Sequence, residues 1–339
     1  MGITIKDIAR ICNVSVGTVD RALNNRPGIS PKTKARILQV AKEYNYRPDY
    51  VAQSLARGRT MTIGLVLFDL YNRSFAQLAN AVEASARKRG YSVDLVLTDK
   101  DPAIEKEVLN RLHARKSDGI ILFPINEGPE FEEYLQSLGT PIVTICNRLS
   151  DHWDYVGIND RQAMKEATQH VLAQGYEHLV YICPPLAYRG VTNIYTQEER
   201  YQGCLEALAE VPEGRKVSLE VIEDKDYVEV LRRMPLEEQK TAIMCSCDAY
   251  ALEVMHYVQY ERQLRVPDDV GIIGFDSIDV LKYIRPELTT VEYNVEQMGC
   301  EAVNLLLERI ESAGSQKDVT VKERKQRIID YKIIQGNSL

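Results

Sequence analysis

TIKDIARICNVSVGTVDRALNNRPGISPKTKARILQVAKEYNYRPDYVAQSLARGRTMTIGLV, residues 4–66, holds three short helices, a linker bounded by helix breakers, and the first strand of a different architecture. Ile5, Ile8, Ala9 and Cys12 recur at i, i+3, i+4 and i+7, which makes one apolar face of a helix over residues 4–12. After a turn at Asn13 and Val14, Ser15 is a good N-cap for a second helix that ends near Leu23 and turns Val19, Ala22 and Leu23 inward. Ser30 and Pro31 open a third helix, running to about Tyr44 and burying Ile37, Val40, Ala41 and Tyr44. Two short helices joined by a tight turn, with a third packed over them, form a helix-turn-helix. The second helix of that plan lies in the major groove of DNA. On its wheel Gly17 and Arg21 lie opposite the buried stripe, with Thr18 and Asp20 beside them. An arginine there can donate to guanine O6 and N7, the commonest specific base contact; the plainer alternative is a solvated surface arginine.

Working outward, Pro48 ends the third helix and Gly58 marks the next boundary. Residues 49–56 between them can make only two helical turns, which need a partner to persist: a twin from a second subunit, or DNA. Charge follows the same division. The 339-residue chain carries a net −7, yet residues 1–60 hold eleven lysines and arginines against four acids, +7, which leaves −14 on the rest. A basic module on an acidic body is the electrostatic footprint of a nucleic-acid binder.

From Thr60 onward strands alternate with amphipathic stretches. Apolar runs at 62–68, 91–97, 119–123, 141–146, 178–183, 217–222, 241–245 and 270–275 are separated by helical patterns such as Phe75, Leu78, Ala79, Val82 and Ala86. Such alternation implies right-handed crossovers and parallel sheets. Loops around 147–160 divide the eight runs into two groups of four, hence two doubly wound lobes. The expected organisation is a helix-turn-helix headpiece over 1–46, a hinge over 47–60 and a two-lobed body over 61–339. The first lobe takes about 61–159 plus 290–320, and the second about 160–289 plus 321–339. Ligands of open parallel sheets bind outside the carboxyl ends of the strands. The residues there are Asp69, Asn72 and Phe75 after the first run, Asn147 and Arg148 after the fourth, Asp248 after the seventh and Asp276 after the eighth. Carboxylates, amides and arginines suit a polyhydroxylated ligand, although Asp248 and Asp276 are also placed to cap the helices that follow them.

Other chemistries find little support. There is no phosphate-binding loop ending in Lys-Ser/Thr, no dinucleotide fingerprint after TIGLVLF, no HExxH and no G-x-S-x-G, so neither an enzyme nor a cofactor or metal is expected. The seven cysteines are scattered, mostly in apolar runs, and read as small buried hydrophobes of a reduced protein. No secretory pattern opens the chain and no run is long enough to span a membrane, so a cytoplasmic location is expected.

Residues 4–66, together with GIILFP (119–124), GFD (274–276) and PELTTV (286–291), resemble the lactose-repressor and galactose-repressor family of bacterial transcription regulators over nearly the whole chain. The resemblance implies a body like that of periplasmic sugar-binding proteins. It also implies a homodimer on near-palindromic operator DNA and a small-molecule effector, carbohydrate by family precedent, bound between the lobes. The family's base readers fall on Val16, Gly17 and Arg21, its phosphate contacts on Thr4, Ser15, Thr18, Asn24, Ser30 and Thr33, and its minor-groove wedge on Leu55. Its effector contacts fall on Asp69, Asn72, Phe75, Arg148, Asp160, Arg200, Asp248 and Asp276. Arg200 precedes Tyr201-Gln202-Gly203, as the family's arginine precedes a hydrophobic-x-Gly step.

This chain departs from the pattern in three places. Gly17 offers no side chain to a base, Asp20 stands where serine is common, and Asn147 replaces a frequent aspartate. The C-terminal segment lacks a leucine heptad, which suits a dimer and gives no support for a coiled-coil tetramer. A sugar-binding transport receptor would share the body but has no use for the basic headpiece. A nucleotide-dependent cytosolic enzyme would need the phosphate loops that are missing.

Overall fold

The computed structural model describes residues 3–47, 54, 58–313 and 324–339. The chain falls into two compact units, Met1–Thr60 and Met61–Leu339. The hinge expected at 49–56, and Leu55 with it, lies outside the described residues apart from Ser54.

The headpiece consists of α1 (Ile5–Ile11), α2 (Val16–Leu23) and α3 (Pro31–Glu43). Local side-chain chemistry fixes both ends of each helix. Thr4, Ser15 and Ser30 are the N-caps, accepting from the backbone N–H groups of Asp7, Thr18 and Thr33. Asn13, Asn25 and Asn45 end the helices at φ of 45°, 55° and 50°, the left-handed region that asparagine tolerates better than most residues. The next N–H then closes the helix end: Val14 to Ala9 O, Arg26 to Arg21 O and Tyr46 to Ala41 O, at 2.8–3.0 Å. Ile8, Ala9, Cys12, Val19, Ala22, Ile37 and Ala41 make the core. Tyr44, expected inside, is 56% exposed, because the helix closes at Glu43 and Tyr44 caps its outer end.

The body holds two six-stranded sheets. The first runs β2-β1-β3-β4-β5-β11, from β1 (Thr62–Leu67), β2 (Ser92–Leu97), β3 (Gly119–Leu122), β4 (Ile142–Ile145), β5 (Asp154–Gly157) and β11 (Gln326–Ile328). The second runs β7-β6-β8-β9-β10-β12, from β6 (His178–Ile182), β7 (Ser218–Ile222), β8 (Thr241–Cys245), β9 (Val270–Asp276), β10 (Thr289–Tyr293) and β12 (Tyr331–Ile334). All pairings are parallel except β10 with β12. Helices cover both faces, so β3, β4, β8 and β9 are buried along their whole length, and their sequences read as continuous apolar runs instead of alternating ones.

Sheet membership differs from the sequence-based division at the C-terminus. Residues 290–293, expected in the first lobe, pair with β9 in the second, and Gln326–Ile328, expected in the second, pairs with β5 in the first. The strand-like 327–334 is therefore two strands, one in each sheet. The supposed loop at 147–160 contains β5, whose Asp154 is fully buried because Arg309 grips it through two bonds of 2.6 Å and the Lys325 N–H adds a third. The body helices are α4 (Arg73–Lys88), α5 (Pro102–Ala114), α6 (Pro129–Ser137), α7 (Asp160–Ala173), α8 (Tyr195–Ala209), α9 (Tyr227–Leu231), α10 (Asp248–His256) and α11 (Val295–Ala313). Of these, α11 packs on the first lobe, and α7 on α8 and the second.

Candidate functional site

The headpiece presents α2 with Val16, Gly17 and Arg21 exposed, while Val19 and Ala22 anchor it from behind. Five of the six expected phosphate-contacting residues form hydroxyl pairs or caps at helix starts. Ser15 Oγ lies 2.9 Å from Thr18 Oγ1, Ser30 Oγ lies 2.8 Å from Thr33 Oγ1, and Thr4 makes a reciprocal capping box with Asp7. Structural capping and anion binding share this geometry, since unpaired N–H groups and hydroxyls converge at a helix N-terminus. The sixth, Asn24, turns its amide onto the Asp20 side chain and carbonyl, at 2.8 and 3.0 Å.

In the body, four of the expected effector residues form one polar chain across the lobes. Asn72, the N-cap of α4, donates through Nδ2 to Asp276 Oδ2 at 3.0 Å. Asp276 Oδ1 accepts from the Tyr293 hydroxyl at 3.1 Å and lies 3.6 Å from Arg200 NH1. Arg200 donates through Nε to Asp160 Oδ1 at 2.8 Å, and its guanidinium lies 3.6 Å from the centre of the Phe275 ring. Burial pushes the Asp160 carboxyl up to about 6 against the pull of Arg200, and pushes Asp276 up as well. The flanking carboxylates hold the Arg200 guanidinium firmly protonated. A single glycine makes this contact possible. A Cβ on Gly203 would lie 2.0 Å from the Arg161 carbonyl oxygen, so the absence of a side chain lets α8 approach α7 until Arg200, one turn earlier, reaches the first residue of α7. The backbone is strained where the strands meet this chain: Asp276 sits at φ 112° as the last residue of β9, and Cys146 at φ 60° just after β4.

The other expected residues are placed differently. Phe75 joins Phe68 and Phe123 in an edge-to-face trio with centroids 4.6–5.3 Å apart. Asp69 accepts from the Tyr71 N–H and pairs with Lys100 at 3.2 Å. Arg148 pairs with Asp151 and lies over the Tyr155 ring. Asp248 is fully buried beneath β9, where it accepts from Ile278 N at 2.9 Å and Thr290 Oγ1 at 2.7 Å. Neither Asp248 nor Asp276 caps a helix: Cys247 is the N-cap of α10, and Ile278 precedes the short turn after β9.

Sequence reasoning passed over a second cross-lobe network. Asn147 Nδ2 donates to Pro124 O at 3.2 Å and to Asn193 O at 2.6 Å, and its Oδ1 accepts from both the N–H and the hydroxyl of Thr196. Asn193 returns a bond to Arg148 O and gives its own N–H to Ile125 O. Glu105, also unforeseen, is buried under this loop and accepts from Ile125 N and Asn126 N at 2.8 Å each, with burial raising its carboxyl. On the opposite flank Arg73 binds Asp279 through two bonds. A cavity of about 400 Å³ lies where the later chain crossings run, lined among others by Gln77, Tyr293, Asn294, Glu296 and Asp330; Asp276 is its one member from the expected effector set.

A three-helix headpiece followed in the chain by a two-lobed α/β body with a polar cross-lobe site defines a DNA-binding regulator with a sensor domain. Residues 4–49 match the family model for bacterial regulatory proteins of the lacI family, and residues 168–339 that for a periplasmic binding protein-like domain. The ribose operon repressor of Halalkalibacterium halodurans is 33% identical over 310 residues, 91% of this chain and 90% of that one. Catabolite control protein A of Priestia megaterium is 31% identical over 313 residues, 90% of this chain and 92% of that one. The lac repressor dimer bound to operator and the anti-inducer ONPF superposes with a TM-score of 0.81 at 19% identity, covering 100% and 99% of the two chains. The chain belongs to the lacI family: it is a DNA-binding transcriptional regulator and not an enzyme or a transport receptor. No helix among the described residues is long and apolar enough to cross a membrane.

Proposed function

We propose that the chain acts as a homodimeric repressor in the cytoplasm, at the nucleoid, on a near-palindromic operator, and that an uncharged polyhydroxylated metabolite held between its lobes sets its affinity for DNA. One observation carries the effector class: both arginines of the expected effector set, and the lysine beside Asp69, already face carboxylates. Arg200 lies between Asp160 and Asp276, Lys100 faces Asp69, and Arg148 faces Asp151. A phosphorylated ligand needs cations that are not already spoken for, whereas hydroxyls accept and donate at paired carboxylates and amides. The Phe68, Phe75 and Phe123 rings supply an apolar wall for the face of a sugar ring. The similarity to a ribose operon repressor supports the same class.

The test is a thermal-shift screen of the full chain against neutral sugars, sugar phosphates and nucleosides, followed by DNA-binding titrations with each hit. A ligand at about 100 times its Kd stabilises by roughly 2.7 kcal/mol. A neutral sugar that raises Tm and changes DNA affinity is the expected result. Stabilisation by sugar phosphates alone would overturn the effector class.

A further inference from the structure

Asp20 is an anion on the helix that this reading lays against a polyanion, and its surroundings account for it. Asp20 Oδ2 pairs with Arg26 NH1 at 3.2 Å, and Asp20 Oδ1 accepts from Asn24 Nδ2 at 2.8 Å. Both partners belong to the turn that closes α2: Asn24 is its C-cap, and the Arg26 N–H closes the helix on Arg21 O at 2.9 Å. The three side chains therefore form a small neutral cluster at the C-terminal end of α2, in a headpiece whose net charge is strongly positive. The pair is more than a third exposed on both sides, so it adds little to stability. Its consequence lies in what Arg26 and Asn24 are kept from doing. A free arginine and a free amide beside the recognition helix would bind phosphates, and each phosphate contact adds affinity for any DNA sequence.

We propose that Asp20 is a positioning residue that limits sequence-independent DNA affinity: by holding Arg26 and the Asn24 amide against the end of α2, it withholds both from phosphates. A contact that every sequence offers strengthens specific and non-specific binding by the same factor, so withholding it leaves their ratio unchanged and lowers occupancy of DNA of any sequence. The inference rests on α2 being the groove-facing helix.

The experiment is a double-mutant cycle in the full-length protein on a random-sequence 30-bp duplex, titrated over a series of salt concentrations. Asp20→Asn keeps the shape and can still accept from Asn24, and it loses only the charge. It is expected to bind the duplex roughly three- to tenfold more tightly at low salt, with a slope of log K against log salt steeper by about one. Arg26→Ala alone should change little, because Arg26 is already engaged, yet it should cancel the gain in the Asp20→Asn background. An unchanged salt slope in Asp20→Asn, or an Arg26→Ala loss of equal size in both backgrounds, overturns the proposal. Weaker binding confined to particular sequences would overturn it too, and would make Asp20 a reader of cytosine. A wild-type protein with no salt-dependent binding at all would overturn the groove assignment of α2 as well, which separates the two failures.

Discussion

Asn147 of the first lobe and Asn193 of the second are joined by an amide-to-carbonyl hydrogen bond of 2.6 Å, and the same Asn147 side chain also binds Pro124 and Thr196. Two carbonyl oxygens face its Nδ2, so the position requires a donor. Asn147→Asp is nearly isosteric but would set an anion against both carbonyls. It should cost about 1–3 kcal/mol and let the lobes part. Because the fold would disfavour the ionised form, the loss should grow as pH rises. Thermal melts at pH 5 and pH 8, with small-angle scattering to detect expansion, check this. Equal melts and an unchanged radius of gyration would refute it.

Arg200→Ala leaves the buried Asp160 and Asp276 without their cation. Breaking a buried pair in this way costs about 3–5 kcal/mol, so the variant should melt well below the wild type as well as losing its effector response. Arg200 thus has a structural role that its sequence position did not announce. Asn72→Ala is the milder probe: it removes one bond to Asp276 and a helix cap worth about 1 kcal/mol. It should weaken the effector response in DNA-binding titrations while the protein remains folded. A full response in both variants would detach the cross-lobe chain from effector sensing.

How far the sequence could be read follows from how local each signal is. The headpiece was legible because its helices are bounded by their own residues, with Ser15 and Ser30 at the starts and Asn13 and Asn25 at the ends. The central strands were legible because burial on both faces writes them as apolar runs. β5 was not, since Asp154 looks like a loop residue until Arg309 arrives from far along the chain. Strand ownership at the C-terminus was also hidden: Gln326–Ile328 and Tyr331–Ile334 are near neighbours in sequence, and only the crossing between them sends each to its own sheet. In the cross-lobe chain, Asn72 and Asp276 are reached by counting from strand ends, whereas Asp69, reached the same way, stands apart and pairs with Lys100. Asn193, Thr196 and Glu105 were missed because their partners are remote and their own surroundings carry no motif.

Asp248 offers a pH test. Burial, reinforced by Asp276, raises its carboxyl to about 8. A carboxyl whose folded pKa lies above its unfolded value keeps its proton longer in the fold. Its contribution is therefore fully present below about pH 4 and is lost as pH rises through about 8. Asp160, raised to about 6, acts in the same direction over the lower part of that window. Asp248→Asn can keep the Ile278 bond, and the Thr290 hydroxyl can rotate to accept from the amide. The variant should flatten the decline of Tm between pH 5 and pH 8 and match or exceed the wild type at pH 8. A slope identical to the wild type would place the titration elsewhere.

Arg21 is the exposed side chain of α2 best suited to read a base, since Gly17 has none to offer. Arg21→Ala should cost about 1–3 kcal/mol on the preferred operator and relax the preference at one base pair of each half-site. Binding to a panel of operators, each altered at one position, measures this. A uniform loss across the panel would make Arg21 a phosphate contact instead.

The last prediction concerns coupling between the two functions. Asn72–Asp276, Asn147–Asn193 and Arg73–Asp279 all join the lobes, so a ligand that changes how the lobes meet must strengthen or break contacts whose positions are fixed here. A ligand shifts such an equilibrium only by its difference in affinity between the two states. Coupling of this kind is typically about 1–3 kcal/mol and is reciprocal. Saturating operator should therefore change effector affinity by the same factor by which saturating effector changes operator affinity. Calorimetric titration of effector with and without operator, beside DNA titrations with and without effector, gives both factors. Arg73→Ala removes one cross-lobe pair from an exposed flank, away from the buried chain that runs from Asn72 to Asp160. It should alter both factors equally and leave the affinity of the effector-free protein for random DNA unchanged. Effector affinity indifferent to operator, or coupling factors that Arg73→Ala leaves unchanged, would show that the lobes do not carry the signal.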